Sequence, residues 1–272
     1  MGSGIAEVGA VAGFDVILND VSQKALESAM QRIKQNLARA VEKKRMTAGD
    51  ATEAYARIKA SDNFSDLAPS SFIVEAALEN MNVKREIFQK LDSLLSPETI
   101  LATNTSSLSV SSIGSMVKRP DKVVGMHFFN PPPLMRLVEV VKGKQTSAET
   151  IELTLDVARR MRKTPVVCND TPGFIVNRIA RPFYLEAMRL LGEGVASIEE
   201  IDRIVKLEGG FKMGPFELMD LIGIDVNYAV TKSVFEQFSQ EPRFQPHPIQ
   251  QKMVEAGTLG RKTKKGFYSY EK

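Results

Sequence analysis

Ile100-Leu101-Ala102-Thr103-Asn104-Thr105-Ser106-Ser107 is a short apolar run that ends abruptly in an amide and three hydroxyls. Two further strand-like runs follow. Lys122-Val123-Val124-Gly125-Met126 leads into His127-Phe128-Phe129-Asn130-Pro131-Pro132-Pro133, and Leu137-Val138-Glu139-Val140-Val141 comes next. Strands this short and apolar belong in a sheet covered on both faces, as α/β folds provide. Ligands in open parallel sheets bind beyond the carboxyl ends of the strands, which is where Asn104–Ser107 falls. Taken alone the hydroxyls are weak evidence, because such residues also cap the helix that follows a strand.

His127 is one of two histidines in the chain. Imidazole is the side chain best suited to take and return a proton near neutral pH. A base needs an orienting partner on its other nitrogen. Glu139 is the candidate, because it interrupts an apolar strand and a buried carboxylate is costly unless something pairs with it. The plainer alternative stays open from composition and position: a lone histidine in an apolar segment is more often a hydrogen-bonded core residue.

Working outward, Met1-Gly2-Ser3-Gly4 enters a helix of small residues that Gly13 can end, and Phe14–Leu18 reads as a strand ending in Asn19-Asp20. A dinucleotide fingerprint is G-x-G-x-x-G after a first strand, with an acid about 20 residues on. Gly2 fits the third glycine and Asp20 falls 18 residues after it. The first strand and first two glycines have no counterpart, so the expectation is a chain lacking roughly a dozen N-terminal residues. A helix over about 22–44 follows, with Leu26, Met30, Ile33, Leu37 and Val41 on one stripe and a basic end, Lys43-Lys44-Arg45. Cations favour a helix C-terminus, and the sharper alternative for Lys43 is a contact to coenzyme A phosphates. Ser71–Ala77 reads as a buried strand and is followed by Glu79-Asn80-Met81-Asn82-Val83-Lys84. The bland reading of Glu79 and Lys84 is a capping acid and a solvated helix lysine. Thr146 and Glu149 have capping-box spacing before a helix through Met161, and Pro165–Cys168 is a last short strand. After Asn169 only helical patterns appear, including 174–191 with Pro182, one opened by Ser197, and one over 217–238. Strand–helix alternation followed by helices alone predicts two domains, 1–169 and 170–272.

These motifs, Asn104-Thr105-Ser106-Ser107, His127-Phe128-Phe129-Asn130-Pro131, Leu137-Val138-Glu139 and Asp170-Thr171-Pro172-Gly173-Phe174-Ile175-Val176-Asn177-Arg178, resemble the short-chain L-3-hydroxyacyl-CoA dehydrogenases, most of all the bacterial 3-hydroxybutyryl-CoA dehydrogenases. The resemblance runs over essentially the whole chain. It implies a Rossmann-type doubly wound α/β sheet, without its first strand here, followed by an all-α domain. It also implies NAD-dependent interconversion of an L-3-hydroxyacyl-CoA and its 3-ketoacyl-CoA, as in fatty acid β-oxidation. His127 would be the base and Glu139 its orienting partner. Ser106 and Asn177 would bond the reacting oxygen or nearby thioester groups, with domain closure completing the site. Gly2, Asp20, Glu79, Lys84, Ser106, Asn130 and Lys262 would face the cofactor, and Ser106, Asn177 and Lys43 the acyl-CoA. A homodimer through the helical domain is a further implication. The alternatives are a non-catalytic or cofactor-impaired scaffold relative, as the λ-crystallins of the lens are, and a superfamily enzyme acting on a sugar acid.

Bulk properties narrow the field. A net charge of +3 over 272 residues is too small to argue for nucleic acid. The single cysteine, Cys168, allows no internal disulfide and suits a reducing compartment, so cytoplasm is the default. No apolar run approaches the ~20 residues of a membrane span, and no His/Cys cluster has metal-ligand spacing.

Overall fold

The computed structural model describes residues 1–270, in two compact units that divide between Thr171 and Pro172. The first unit alternates strands and helices in chain order. It runs α1 (Gly2–Val11), β1 (Val16–Asn19), α2 (Gln23–Glu42), α3 (Ala48–Ala56), β2 (Ile58–Ser61) and β3 (Phe72–Glu75). It continues through α4 (Met81–Leu94), β4 (Ile100–Thr103), α5 (Val110–Gly114), β5 (Val123–Phe128), β6 (Leu137–Lys142), α6 (Ala148–Arg160) and β7 (Thr164–Asn169). Strand order explains the arrangement. β1 and β2 form a parallel pair, and β3-β4-β5-β6-β7 form a second sheet in which only β5 and β6 run antiparallel. Among the described residues no strand bonds both β1 and β3, so the sheet is in two pieces.

Packing follows the hydrophobic pattern. All six residues of β5 are buried, as a strand covered on both faces requires. Ile100, Ala102, Val124, Met126, Val138 and Val140 meet Ile151, Leu155 and Ala158 of α6 in one core. The stripe of α2 supplies Ile33 and Leu37 to a second cluster with Ala10 of α1 and Ile58 of β2. Ser22 caps α2 by accepting from the Ala25 amide.

The second unit is helical: α7 (Val176–Gly192), α8 (Ile198–Leu207), α9 (Pro215–Ile222), α10 (Ile224–Gln237) and α11 (Pro248–Glu255). Its core gathers Tyr184, Leu185 and Met188 of α7 with Ile201, Phe216, Met219 and Ile224. Ser197 and Glu200 make the capping box that opens α8.

Two local expectations are corrected. The single helix over 217–238 is two, because Gly223 takes a φ of 104° that an α-helix cannot contain. α6 is capped by Ser147, not Thr146; the Thr146 hydroxyl is committed to the Val123 carbonyl and the Gly143 amide.

Candidate functional site

β5 and β6 are adjacent antiparallel strands whose register sets His127 directly opposite Glu139. Directly opposed residues project to the same face of a sheet, so a histidine and a glutamate twelve positions apart meet without adjustment. His127 Nδ1 lies 2.7 Å from Glu139 Oε2. His127 is 6% exposed and Glu139 1%. A buried carboxylate beside Nδ1 holds the proton on that nitrogen, which leaves Nε2 as the basic one. The Phe129 ring stands 4.6 Å from the imidazole, centroid to centroid, and shields one side of it.

The loop after β4 is fixed from two directions. Asn104 Oδ1 accepts from the Phe128 amide at 2.8 Å, which ties the loop to the residue after His127. From the other side, Glu79 Oε1 accepts from the Thr105 hydroxyl at 2.7 Å, the Ser106 amide at 2.8 Å and the Ser107 amide at 3.1 Å. The Ser106 hydroxyl reaches the same oxygen only at 3.3 Å, a weak bond that a ligand can outcompete. Burial raises the Glu79 pKa. The Thr105 hydroxyl, the Lys84 ammonium, the Ser106 amide and the Ser107 hydroxyl outweigh it, so the carboxyl sits below the ordinary glutamate value.

Lys84 is not a solvated helix lysine. It is 1% exposed, and its ammonium lies 2.8 and 2.9 Å from the two oxygens of Glu75 and 3.4 Å from Glu79. Glu75 was not among the expected site residues, although an acid inside Phe72-Ile73-Val74-Glu75 gives the same signal as Glu139 in its own strand.

At the front of the chain, Gly2 begins α1, whose N-cap residue, Met1, makes no side-chain capping bond. A Cβ at Gly2 would meet nothing within 4 Å, and the N-terminus of a helix favours an anion. Gly4 was also missed by sequence reasoning: a Cβ there would stand 2.9 Å from Pro132, so only glycine lets α1 lie against the 130–133 turn. Asp20 is exposed just beyond β1, with one oxygen accepting from the Ser22 amide. A helix N-terminus followed by an exposed acid after the next strand fits a dinucleotide's pyrophosphate and ribose hydroxyls. Asn130 is exposed and joined to Pro131 by a cis peptide bond; Lys43 is the exposed C-cap of α2.

In the second unit, Asn177 is half-buried in the first turn of α7. Lys262 forms a 2.5 Å ion pair with Asp225. His247 is a cap, accepting from the Ile249 amide at the start of α11. Cys168 is a free thiol, pushed up to about 12 by burial and the nearby Glu139 and Asp170 charges, so it is no nucleophile at neutral pH. Among the described residues, no three His, Cys, Asp or Glu side chains are grouped to hold a metal, and no helix is long and apolar enough to cross a membrane.

Residues 1–171 match the family model of the 3-hydroxyacyl-CoA dehydrogenase NAD binding domain, and residues 173–270 that of the 3-hydroxyacyl-CoA dehydrogenase C-terminal domain. The chain is 44% identical to a 3-hydroxybutyryl-CoA dehydrogenase of Clostridioides difficile, over 100% of this chain and 96% of that one. That coverage does not bear out the expected loss of an N-terminal stretch. It is 46% identical to a 3-hydroxyadipyl-CoA dehydrogenase of Escherichia coli K12, over 99% of this chain but only 57% of that longer protein. The crystal structure of (S)-3-hydroxybutyryl-CoA dehydrogenase from Ralstonia eutropha superposes with a TM-score of 0.95 at 40% identity, covering 100% of this chain and 96% of that one.

Proposed function

The chain belongs to the 3-hydroxyacyl-CoA dehydrogenase family and is an NAD-dependent oxidoreductase; on that premise we propose that it interconverts 3-hydroxybutyryl-CoA and acetoacetyl-CoA through a base formed by His127 and Glu139. The observation that carries this reading is the buried 2.7 Å contact between Nδ1 and the Glu139 carboxylate. Bound NAD+ supplies the hydride acceptor. His127 Nε2 takes the proton of the 3-hydroxyl as the C3 hydride departs, and Glu139 offsets the positive charge that builds on the ring. In the reverse direction the same nitrogen protonates the new alkoxide. Ser106 and Asn177 hydrogen-bond the reacting oxygen or the thioester. The amides that open α1 hold the pyrophosphate and Asp20 the adenosine ribose. Glu79, Lys84, Asn130 and Lys262 complete the cofactor site, and Lys43 meets the coenzyme A phosphates. An intact His127–Glu139 pair favours this reading over a scaffold without activity.

Spectrophotometric reduction of acetoacetyl-CoA with NADH and with NADPH tests both the reaction and the role of Asp20. Its carboxylate accepts bonds from ribose hydroxyls and repels a 2′-phosphate, so kcat/KM should favour NADH by at least about tenfold. Turnover preferring NADPH would show Asp20 to be only a turn residue, and no turnover with either would overturn the reaction. We also assign a homodimer through the helical unit, supported by exposed Ile204, Leu207, Phe211, Leu221, Ile222 and Val226. A solution mass near twice 30.1 kDa agrees with it, and a monomer at micromolar concentration contradicts it. A cytoplasmic location is part of the proposal, supported by the lone thiol, which needs no oxidising compartment; fractionation that finds the protein exported counts against it.

A further inference from the structure

We propose that Glu75 is a positioning residue: through Lys84 it holds Glu79 in place, and through Glu79 it sets the loop that carries Ser106. The inference rests on the assignment of Ser106 to the reacting oxygen.

Glu75 ends β3 directly beside Thr103 at the end of β4. Every bond its carboxylate makes leads toward that loop. Oε2 accepts from the Thr103 hydroxyl at 2.7 Å, and the Thr103 oxygen in turn accepts from the Thr105 amide at 3.3 Å. Oε1 accepts from the Ala77 amide at 2.7 Å, fixing the turn that leads to Glu79. Both oxygens hold the Lys84 ammonium, which is also shared with Glu79. The Glu75 backbone carbonyl accepts from the Asn104 amide at 2.7 Å, so the start of the loop hangs on the same residue. Two carboxylates thus divide one buried ammonium, and the second of them carries the Ser106 and Ser107 amides.

Removing the first charge changes that division. A buried ammonium must be matched by an anion, and Glu79 is the one in reach. Its Oε2 would close on Lys84 and turn Oε1 away from the loop amides. Asn104 bonds the amide of Phe128, so a shifted loop changes the distance between Ser106 and His127.

The test uses the full chain with Glu75→Gln, alone and in a Ser106→Ala background. We expect kcat for acetoacetyl-CoA reduction to fall roughly ten- to hundredfold with KM within about threefold, since misplacing one group by an ångström costs this much. In the Ser106→Ala background the same change should cost under about threefold, because the group it positions is already gone. Amide hydrogen exchange should show Ser106 and Ser107 exchanging at least about tenfold faster, with the β4 amides unchanged. Equal losses in both backgrounds would overturn the proposal, as would unchanged exchange at Ser106 and Ser107. Glu75→Asp keeps the buried charge but shortens its reach to Lys84, so Glu79 takes the larger share of the ammonium, and the same readouts decide if Glu75→Gln does not fold. Exchange needs no turnover: a parent chain inactive on acetoacetyl-CoA would refute the reaction while exchange still judges Glu75.

Discussion

Glu139 in the sheet and Asp220 in the helical unit are both 1% exposed carboxylates, and they serve opposite ends. Glu139 spends its charge on an imidazole, a partner whose other nitrogen can exchange protons. Asp220 commits its charge to structure: it accepts from the Phe267 and Tyr268 amides at 2.9 Å and the Tyr270 hydroxyl at 3.0 Å. Asp202 behaves like Asp220, taking the Phe216 and Glu217 amides at the start of α9 and the Tyr268 hydroxyl. Neither phenol competes as a base. Burial and the Asp202 bond push Tyr268 well above the ordinary tyrosine value, and burial is the first cause of a rise at Tyr270 as well. Burial of an acid therefore does not mark chemistry; the proton-exchanging capacity of its partner does.

The contrast breaks most readily at His127. His127→Gln keeps a polar side chain of similar size and should leave folding intact while lowering kcat at least about a hundredfold, the contribution of a positioned base. Turnover of acetoacetyl-CoA within threefold of the parent would make His127 an ordinary core histidine. The opposite signature is expected at Asp220. Asp220→Ala strands two amides and a hydroxyl, and should cost about 3–5 kcal/mol of stability. Gly260 and Gly266 press so closely on Asp220 that a Cβ on either would overlap it, so the tail cannot reseat around a larger group. Denaturant unfolding measures this loss; a variant within about 1 kcal/mol of the parent would show that the tail is not clasped there.

The same contrast explains what could be read in advance. Glu139 was legible because four apolar neighbours surround it in a strand-like run, where an acid has no solvent to face. The strand–helix alternation followed by helices alone was legible for a similar reason: short continuous apolar runs mark strands covered on both faces, and apolar stripes at spacings of three and four mark helices. Asp202 and Asp220 were not legible. On a helix beside Glu199, Glu200 and Arg203, Asp202 looks solvated, and only the tertiary approach of α9 and the tail buries it. Glu75 lay between these cases: the strand signal was present, but its partner Lys84 sits in the next helix, and pairing across elements is not a local pattern. Gly4 was hidden because its need for a missing Cβ comes from Pro132, more than a hundred residues away.

The most direct measurement is a double-mutant cycle on kcat for acetoacetyl-CoA reduction, using His127→Gln, Glu139→Gln and both together. If Glu139 acts only by orienting and charging His127, it has no role once the imidazole is gone, because residues that act as a unit are not additive. Glu139→Gln is then expected to slow the parent at least about tenfold yet change the His127→Gln enzyme by less than about threefold. Equal factors in the two backgrounds would mean that Glu139 contributes independently of His127, and the cross-strand pair would not be the catalytic unit.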